Sequence, residues 1–332
     1  MDPITHISSG LMGALAARPY FPKSRYFIPL CLLASWIPDG DIFFGNGDPE
    51  FSLLHHRGIT TSFFGGAILA FAMAWLIKRA MPTTSFGRSF VLSYFLICTH
   101  IWLDLITTYG TQILAPFSNH RFALDGAFII DPLFTGIALL IIVGALIYKK
   151  SRSRIALLGM LWFFLYPLTN MGISAHLEAK YAERLDQQGI PYEHVHVTPD
   201  ALAPKYWKVV TTTGHMYMQD TIVLFGDKGN IQPERYRRAD EGMLKTLGEQ
   251  DSMFWTYAWF AKWPHMTQKA TPEGKEISFG DLRFQSTNPV LKKIFQDRQP
   301  PFTLTAYLDE DGVLTGWKFI KGASSIGETT ER

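Results

Sequence analysis

The chain has 332 residues, of which 47% are hydrophobic and 14% aromatic, and its formal net charge at pH 7 is only +2. This balance lacks the basic character of nucleic-acid-binding proteins, so no nucleic-acid partner is expected. The two cysteines, Cys31 and Cys98, lie in apolar runs and supply no disulfide framework that would indicate a compartment.

Six apolar runs follow one another in the first half of the chain, at 4–17, 26–44, 59–77, 89–108, 130–148 and 155–175. A membrane-spanning helix needs about 20 mostly apolar residues, and the last four runs approach this length. The first run is short, and Pro38, Asp39 and Asp41 interrupt the end of the second. We predict a mostly α-helical polytopic membrane domain of about six helices over residues 1–175.

Lysine and arginine are concentrated in alternate connections between these runs, at 18–25, 78–88 and 149–154. The other two connections carry only Arg57 and Arg121. By the positive-inside rule, the three basic connections are cytoplasmic. We therefore predict a multi-pass membrane protein, with both termini and the following domain outside the cytoplasm.

The second half of the chain is polar and charged, and it predicts a soluble α+β domain over residues 176–332. Strand-like composition marks five segments, at 205–212, 215–225, 276–285, 302–308 and 313–320. Helices are expected at 174–187 and 239–262. The second of these includes an aromatic run at 254–264, which could contact lipid or pack in the core of its own domain.

Ionisable side chains from four segments fall on one predicted side of the membrane domain. His100 and Asp104 are four residues apart in one apolar run and therefore share a helix face. Such residues are costly inside a membrane and indicate a functional site. Imidazole and carboxylate bind Zn²⁺ and similar ions. We predict a site for one or more divalent ions, with zinc expected, formed by His6, Asp39, Asp41, His56, His100 and Asp104.

Each of these residues also has an ordinary interpretation. His6 could simply begin a helix, the two aspartates could form a turn, and His55 and His56 could be solvated. His100 and Asp104 could be a self-satisfied hydrogen-bonded pair. The two loop arginines, Arg57 and Arg121, could bind phosphate bidentately or form a salt bridge to Asp39, Asp48 or Asp125.

Two further features have simple structural explanations. Asp131 precedes Pro132 and is expected to cap a helix, with metal binding as a minor alternative. His194 and His196 alternate along a predicted strand and share one face, where solvation is more common than metal binding.

At these motifs the chain resembles the YdjM-like family of inner-membrane proteins, which is identified with LexA-regulated, membrane-bound, metal-dependent hydrolases. The resemblance covers roughly the first 135 residues. The family pattern begins with an N-terminal His, a Pro-Asp-x-Asp turn and a His-Arg-Gly-x-Thr-His-Ser motif. A Ser-His-x-x-x-Asp helix follows, and after it come a Thr-rich loop and Pro-Phe. The corresponding residues are His6, Pro38–Asp41, His56–Ser62, His100–Asp104, Thr107–Gly110 and Pro116–Phe117.

One position departs from that pattern, because Thr61 stands where the family has its second His. The resemblance then implies impaired catalysis or a substitute such as His55 or His120. The order of His and Asp residues is more distantly similar to that of zinc-dependent phospholipase C and single-strand nucleases.

These observations predict a membrane-bound metal-dependent hydrolase acting on a phosphoester of a lipid or lipid-linked substrate at the outer face of the membrane. Arg57 and His55 are the predicted catalytic residues, with Arg57 stabilising the anionic transition state. The alternative is a non-enzymatic metal-binding membrane protein whose soluble domain recruits partners.

Overall fold

A computed structural model describes residues 1–227, 229, 231–294, 299–322 and 329–331. The chain divides into two compact units. The first consists of Met1–Asn46 and His55–Ile173, and the second of Gly47–Leu54 and Ser174–Arg332. Hydrogen bonds explain why the short segment Gly47–Leu54 belongs to the second unit, because the Glu50 carboxylate accepts from the hydroxyls of Ser252 and Thr256, each at 2.9 Å.

The first seven helices are α1 (Pro3–Ala17), α2 (Phe27–Trp36), α3 (Pro49–His55), α4 (Phe63–Ala80), α5 (Phe86–Leu105), α6 (Pro132–Ile147) and α7 (Arg152–Gln187). Capping side chains begin several of them. Asp2 accepts from the Thr5 amide at α1, and Ser62 accepts from the Gly65 amide at α4. The predicted N-cap role of Asp131 at α6 is confirmed, because its carboxylate accepts from two amides of the first turn.

Three helices in the described part of the chain, α4, α5 and α7, are long and apolar enough to cross a membrane. Helix α6 is apolar but has 16 residues, and α1 and α2 have 15 and 10. Helices therefore form in all six apolar runs, whereas about six membrane crossings stay a prediction. Within this unit, Met12, Leu103, Phe134 and Phe163 share a buried apolar cluster.

The polar interruption of the second apolar run changes the type of helix. Helix α2 ends at Trp36 and continues as a 3₁₀ helix, Ile37–Phe43, which contains Asp39 and Asp41. Proline lacks the amide hydrogen that an α-helix interior requires, which accounts for the end of α2 directly before Ile37-Pro38. This 3₁₀ helix brings the two aspartates to the site described below.

The second unit contains two antiparallel sheets. The four-stranded sheet has the order β1 (His194–Pro199), β2 (Tyr206–Thr213), β3 (Met216–Val223), β4 (Glu234–Arg237). The five-stranded sheet has the order β5 (Pro264–Thr271), β6 (Gly274–Asp281), β7 (Thr303–Leu308), β8 (Leu314–Ile320), β9 (Thr329–Glu331). All five predicted strand segments overlap strands of these sheets, although 276–285 extends beyond β6 into a 3₁₀ helix, Leu282–Phe284. The remaining helices are α8 (Glu241–Gln250), α9 (Ser252–Phe260) and α10 (Pro289–Ile294).

The prediction of one helix over 239–262 was wrong, because α8 and α9 are separate. Asp251 stands between them with an extended backbone, at φ −151°, and its carboxylate accepts from the Met253 amide. It therefore caps a new helix rather than continuing the previous one. In α9, Phe254, Tyr257 and Phe260 are buried, so the aromatic run packs mainly in the core of its own unit.

Candidate metal centre

Three elements of the first unit place His6, Asp39 and His100 together. Each of these residues offers one ligand atom, and the three atoms all lie within 4.8 Å of one another. His6 comes from the first half of α1, His100 from the last two turns of α5, and Asp39 from the 3₁₀ helix. Both imidazoles are completely buried, and the Asp39 side chain is 14% exposed. This His/Asp/His group could hold a metal ion.

Ser35, near the end of α2, fixes the two histidines. Its carbonyl oxygen lies 2.8 Å from His100 Nδ1, and its hydroxyl donates to the His6 carbonyl oxygen at 2.6 Å. The two imidazole rings stack with centroids 3.9 Å apart and planes inclined at 23°. A histidine that ligates a metal usually donates its other ring nitrogen to such a carbonyl, which sets the ring orientation.

That hydrogen bond determines what His100 can do with its second nitrogen. A carbonyl oxygen only accepts, so Nδ1 carries the donated proton and Nε2 is available as a lone pair. Nε2 lies 3.5 Å from Asp39 Oδ1 and 3.4 Å from Asp104 Oδ2. A lone pair and two carboxylate oxygens repel one another unless a cation, either a second proton or a metal ion, lies between them.

The hydrogen bonding of the group favours the metal ion. Within the described residues, four of its buried atoms make no hydrogen bond: His6 Nδ1, His6 Nε2, His100 Nε2 and Asp104 Oδ2. Buried polar atoms in proteins almost always have a partner, and those that do not usually indicate a ligand or ion. A donor set of imidazole nitrogens and a carboxylate oxygen suits zinc and related divalent ions. The residues present therefore fit a metal ion.

Asp104 joins this group to the buried arginine Arg57. One of its oxygens, Oδ1, lies 2.9 Å from Arg57 Nη2, 3.2 Å from His6 Nε2 and 2.5 Å from the amino group of Met1. The sequence did not predict Asp104 as the ion-pair partner of Arg57. Because the guanidinium already balances one negative charge, Asp104 can approach a cation without making the whole group strongly anionic.

Asp41 lies in a neighbouring cluster, where it organises the turn that carries Arg57. Its carboxylate accepts from the Arg57 amide at 2.9 Å and from the Thr60 hydroxyl at 3.3 Å, and it lies 3.0 Å from His56 Nδ1. Arg57 itself has a positive φ of 58°. At Gly58 an added Cβ would lie 2.7 Å from the His55 carbonyl oxygen, so the turn requires glycine there.

The loop after α5 completes the surroundings of Arg57. Its guanidinium donates to the Thr107 hydroxyl at 2.8 Å and lies 4.7 Å from the centre of the Tyr109 ring. Arg121 approaches the same ring at 5.6 Å and donates to the His56 carbonyl oxygen at 2.9 Å. Arg57 and Arg121 thus flank Tyr109, and this arrangement orders the His56–Ser62 motif.

Several predicted site residues lie outside the His6/Asp39/His100 group. His55, at the end of α3, and His120 are both exposed, and Thr61 is buried and donates its hydroxyl to the Gly58 carbonyl oxygen at 3.1 Å. In the second unit, His196 Nδ1 lies 3.3 Å from Glu178 Oε1, and His194 is exposed. Within the described residues, His6, Asp39 and His100 form the one group of three or more such ligands whose atoms lie within 4.8 Å of one another.

Sequence reasoning missed Ser35 and Tyr109. Ser35 gave no signal, since a serine in an apolar run commonly bonds back to its own helix. Tyr109 lies in the Thr-rich loop that contributed to the family resemblance, and an aromatic residue between two loop arginines was the available indication.

Comparison with known proteins agrees with the motifs. The Bacillus subtilis (strain 168) relative described as "Uncharacterized protein YfhP" is 22% identical over 337 residues, which cover 96% of each chain. No solved structure gives a significant match. A family model described as "YdjM inner membrane protein" matches residues 1–177, which include every residue of the candidate site. The chain therefore belongs to the YdjM family of inner membrane proteins.

Proposed function

We propose that this chain is a membrane-bound, metal-dependent hydrolase that acts on a phosphoester of a lipid or lipid-linked substrate at the outer face of the membrane. The observation that carries the proposal is the buried His6/Asp39/His100 group, whose facing nitrogens make no hydrogen bond within the described residues. The substrate class follows from an inner-membrane protein's access to lipid and from the chemistry of the site. LexA regulation and the similarity to phospholipase C stay predictions from the resemblance.

In this proposal His6, Asp39 and His100 hold the ion, and Asp104 is the further carboxylate available to it. A bound divalent cation of this kind supplies Lewis-acid polarisation of a phosphoryl oxygen and activates water for attack. Ser35 keeps the His100 ring oriented through its carbonyl oxygen. Bulk water has little access, because both imidazoles are completely buried, and exclusion of water strengthens the electrostatic interactions in the site.

Arg57 is the residue of this chain best placed to balance charge during hydrolysis. Its Nη2 pairs with Asp104, and Asp41 fixes the backbone turn from which the side chain extends. A phosphoryl transition state that gains negative charge near Asp104 would be stabilised by this guanidinium. Asp41 then acts as a positioning residue, and a catalytic role for the exposed His55 stays an untested prediction.

Thr61 gives a specific reason to consider a second function. It replaces the histidine of the family motif, and its buried hydroxyl is used in a local bond to the Gly58 carbonyl oxygen. If that histidine is essential for hydrolysis, the chain would bind metal without turnover, and its second unit would recruit partners.

Metal analysis combined with a turnover assay tests the proposal. Full-length protein is purified without chelator, supplied with zinc, and assayed with bis(p-nitrophenyl) phosphate and with vesicles that contain phosphatidylglycerol or phosphatidic acid. Asp39→Asn should lower metal affinity and turnover by about 10- to 100-fold, a range that disruption of metal sites commonly produces. Asp48→Asn is the matched control, since Asp48 is exposed, and it should behave like the wild type.

The outcomes separate the two functions. Turnover that disappears with Asp39→Asn and with chelator supports the hydrolase. Zinc that is retained by the wild type, lost from Asp39→Asn and accompanied by no turnover on any of these substrates favours the non-enzymatic function. Equal zinc content in Asp39→Asn and the wild type would contradict both.

The predicted orientation can be tested separately. We propose that the second unit lies outside the cytoplasm, because the basic connections alternate along the chain. Alkaline phosphatase fused to the C-terminal end of the chain should then be active, and a cytoplasmic reporter at the same position inactive. The reverse pattern would place the site at the cytoplasmic face.

A further inference from the structure

Large apolar side chains protrude from one end of the four-stranded sheet. The β1–β2 connection and the start of the β3–β4 connection both lie at this end, because Pro199 pairs with Trp207 and Tyr206 pairs with Val223. The two connections are joined by a hydrogen bond from the Leu224 amide to the Lys205 carbonyl oxygen at 3.0 Å. They carry Leu202, Leu224 and Phe225, all of which are exposed.

Helix α10 is attached to the same end of the sheet. The Asn288 side chain donates to the Ala201 carbonyl oxygen at 2.7 Å, and the backbone amide of Asn288 donates to the Asp200 carboxylate at 3.2 Å. Val290 and Ile294 follow on this helix and are exposed. We call the five side chains the apolar tip, and their exposed fractions range from 36% to 63% for Leu202, Leu224, Phe225, Val290 and Ile294.

Basic residues border the apolar tip. Lys205 lies in the β1–β2 connection, and Lys292 and Lys293 lie in the last turn of α10. Lys292 pairs with Glu234 at 2.6 Å, which leaves Lys205 and Lys293 as the bordering cations without a carboxylate partner within the described residues. Exposed leucine, isoleucine and phenylalanine side chains next to lysine are the composition of surfaces that lie in the interface of an anionic bilayer.

The course of α7 shows where the chain enters this unit. The Glu178 carboxylate accepts from the Val197 amide at 2.8 Å, late in β1. Helix α7 ends at Gln187, where the Ile190 amide donates to the Leu185 carbonyl oxygen at 3.0 Å, and β1 begins at His194. Glu178, near the beginning of this unit's part of α7 at Ser174, therefore lies towards the end of β1 that carries the apolar tip. The chain enters from the apolar part of α7 at the same end of the unit as the apolar tip.

We propose that the apolar tip inserts into the interfacial layer of a phospholipid bilayer, with Lys205 and Lys293 facing anionic headgroups. The lipid is the favoured occupant because the tip lies at the end of the unit that follows a membrane-spanning candidate helix, and because its bordering charges complement anionic lipid. This contact would hold the second unit at the membrane surface. The inference rests on the membrane location of the family and is independent of the proposed hydrolysis.

A depth-dependent quenching experiment on the full-length chain tests this contact. Cys31 and Cys98 are replaced by alanine, and Phe225→Cys is labelled with a polarity-sensitive fluorophore. The protein is reconstituted in nanodiscs that contain phosphatidylglycerol, with or without phospholipid that carries a spin label near the top of its acyl chain. Circular dichroism and gel filtration verify that the variants fold like the unlabelled protein.

Ile190→Cys provides the matched control. Ile190 is also an exposed apolar side chain of this unit, but it lies beyond the opposite end of β1. β1 has six residues, so the two ends of the strand are about 17 Å apart. Spin-labelled lipid quenches only nearby fluorophores, so the two positions should differ strongly.

We expect the label at position 225 to lose at least half of its fluorescence in spin-labelled nanodiscs and the label at 190 to lose little. Lys205→Glu with Lys293→Glu should reduce quenching at 225 at least twofold. Equal and weak quenching at both positions would overturn the proposal. A blue-shifted label at 225 without quenching would also overturn it, since a protein surface, such as a second copy of the chain, would then be the occupant.

Discussion

The hydrogen bonding of buried charged groups differs between the two units. In the second unit, the buried carboxylate of Asp200 and the buried ammonium group of Lys208 each have several hydrogen-bond partners. Asp200 accepts from Ser286, Thr287 and Asn288, and Lys208 donates to the carbonyl oxygens of Leu282, Arg283 and Gln285. In the first unit, His6, His100 and Asp104 are as deeply buried and yet retain atoms without hydrogen bonds within the described residues.

The difference indicates that buried polar groups have a different role in each unit. A satisfied network fixes a fold, because each member would be left with an unpaired charge if another were removed. A network whose nitrogen and oxygen atoms face one another without hydrogen bonds destabilises the fold by itself. It becomes favourable when a bound cation completes it. Three changes would break or sharpen this comparison, and we give them from the largest expected effect to the smallest.

The largest effect is expected for Asp281→Ala in the second unit. Asp281 is buried, and its carboxylate pairs with the buried Arg283 guanidinium at 2.8 Å and accepts from the Lys262 amide. Removing one partner of a buried ion pair costs about 3–5 kcal/mol, because the other charge loses its compensation. Pulse proteolysis in urea measures the free energy of unfolding of this unit.

Asp227→Ala is the control, since Asp227 is exposed and its carboxylate accepts from the Gly229 amide. It should cost less than about 1 kcal/mol. An equally small loss for Asp281→Ala would mean that satisfied networks do not stabilise the second unit.

A smaller, metal-dependent effect is expected for His6→Leu in the first unit. In chelator the variant should be within about 1 kcal/mol of the wild type, because it removes two buried nitrogens that lack hydrogen bonds. Zinc at 100 times its dissociation constant should stabilise the wild type by about 2.7 kcal/mol and the variant much less. Thermal unfolding in detergent, with and without zinc, compares them. A large loss in chelator would instead assign His6 a structural role.

The smallest effect is expected for the pH dependence of stability that the buried, neutral His265 of the second unit causes. Burial of His265 lowers the pKa of its imidazole to about 4, below its ordinary 6.5. The unfolded chain therefore binds a proton below pH 6.5, whereas the folded chain does so only near pH 4. Stability from this group is complete above pH 6.5 and falls as the pH decreases towards 4, by about 2 kcal/mol between pH 7 and 5.

His265→Leu should remove this part of the pH dependence, and His194→Gln, at an exposed position of β1, should retain it. The midpoint of urea unfolding at several pH values provides the measurement. The same pH slope in His265→Leu and the wild type would show that other groups cause it.

The sequence by itself determined the local elements. Apolar runs placed the helices of the first unit, and alternating composition placed five strands of the second, because these periodicities are local properties of the chain. The cap at Asp131 and the interruption of the second apolar run at Pro38 could also be predicted, because each depends only on neighbouring residues. The single helix expected over 239–262 failed because an aspartate within a helical pattern can either continue the helix or begin a new one, as Asp251 does.

Only the tertiary structure decided how the polar residues divide into clusters. Asp39 and Asp41 are two residues apart, and the sequence assigned both to one metal site. On a 3₁₀ helix of three residues per turn, the chain rotates by about 240° between them, so their side chains point about 120° apart. Asp39 therefore joins His6 and His100, and Asp41 holds the turn of Arg57. Likewise, the ion pair of Arg57 with Asp104 joins residues from different elements, and which long-range pairs form depends on packing rather than on local spacing.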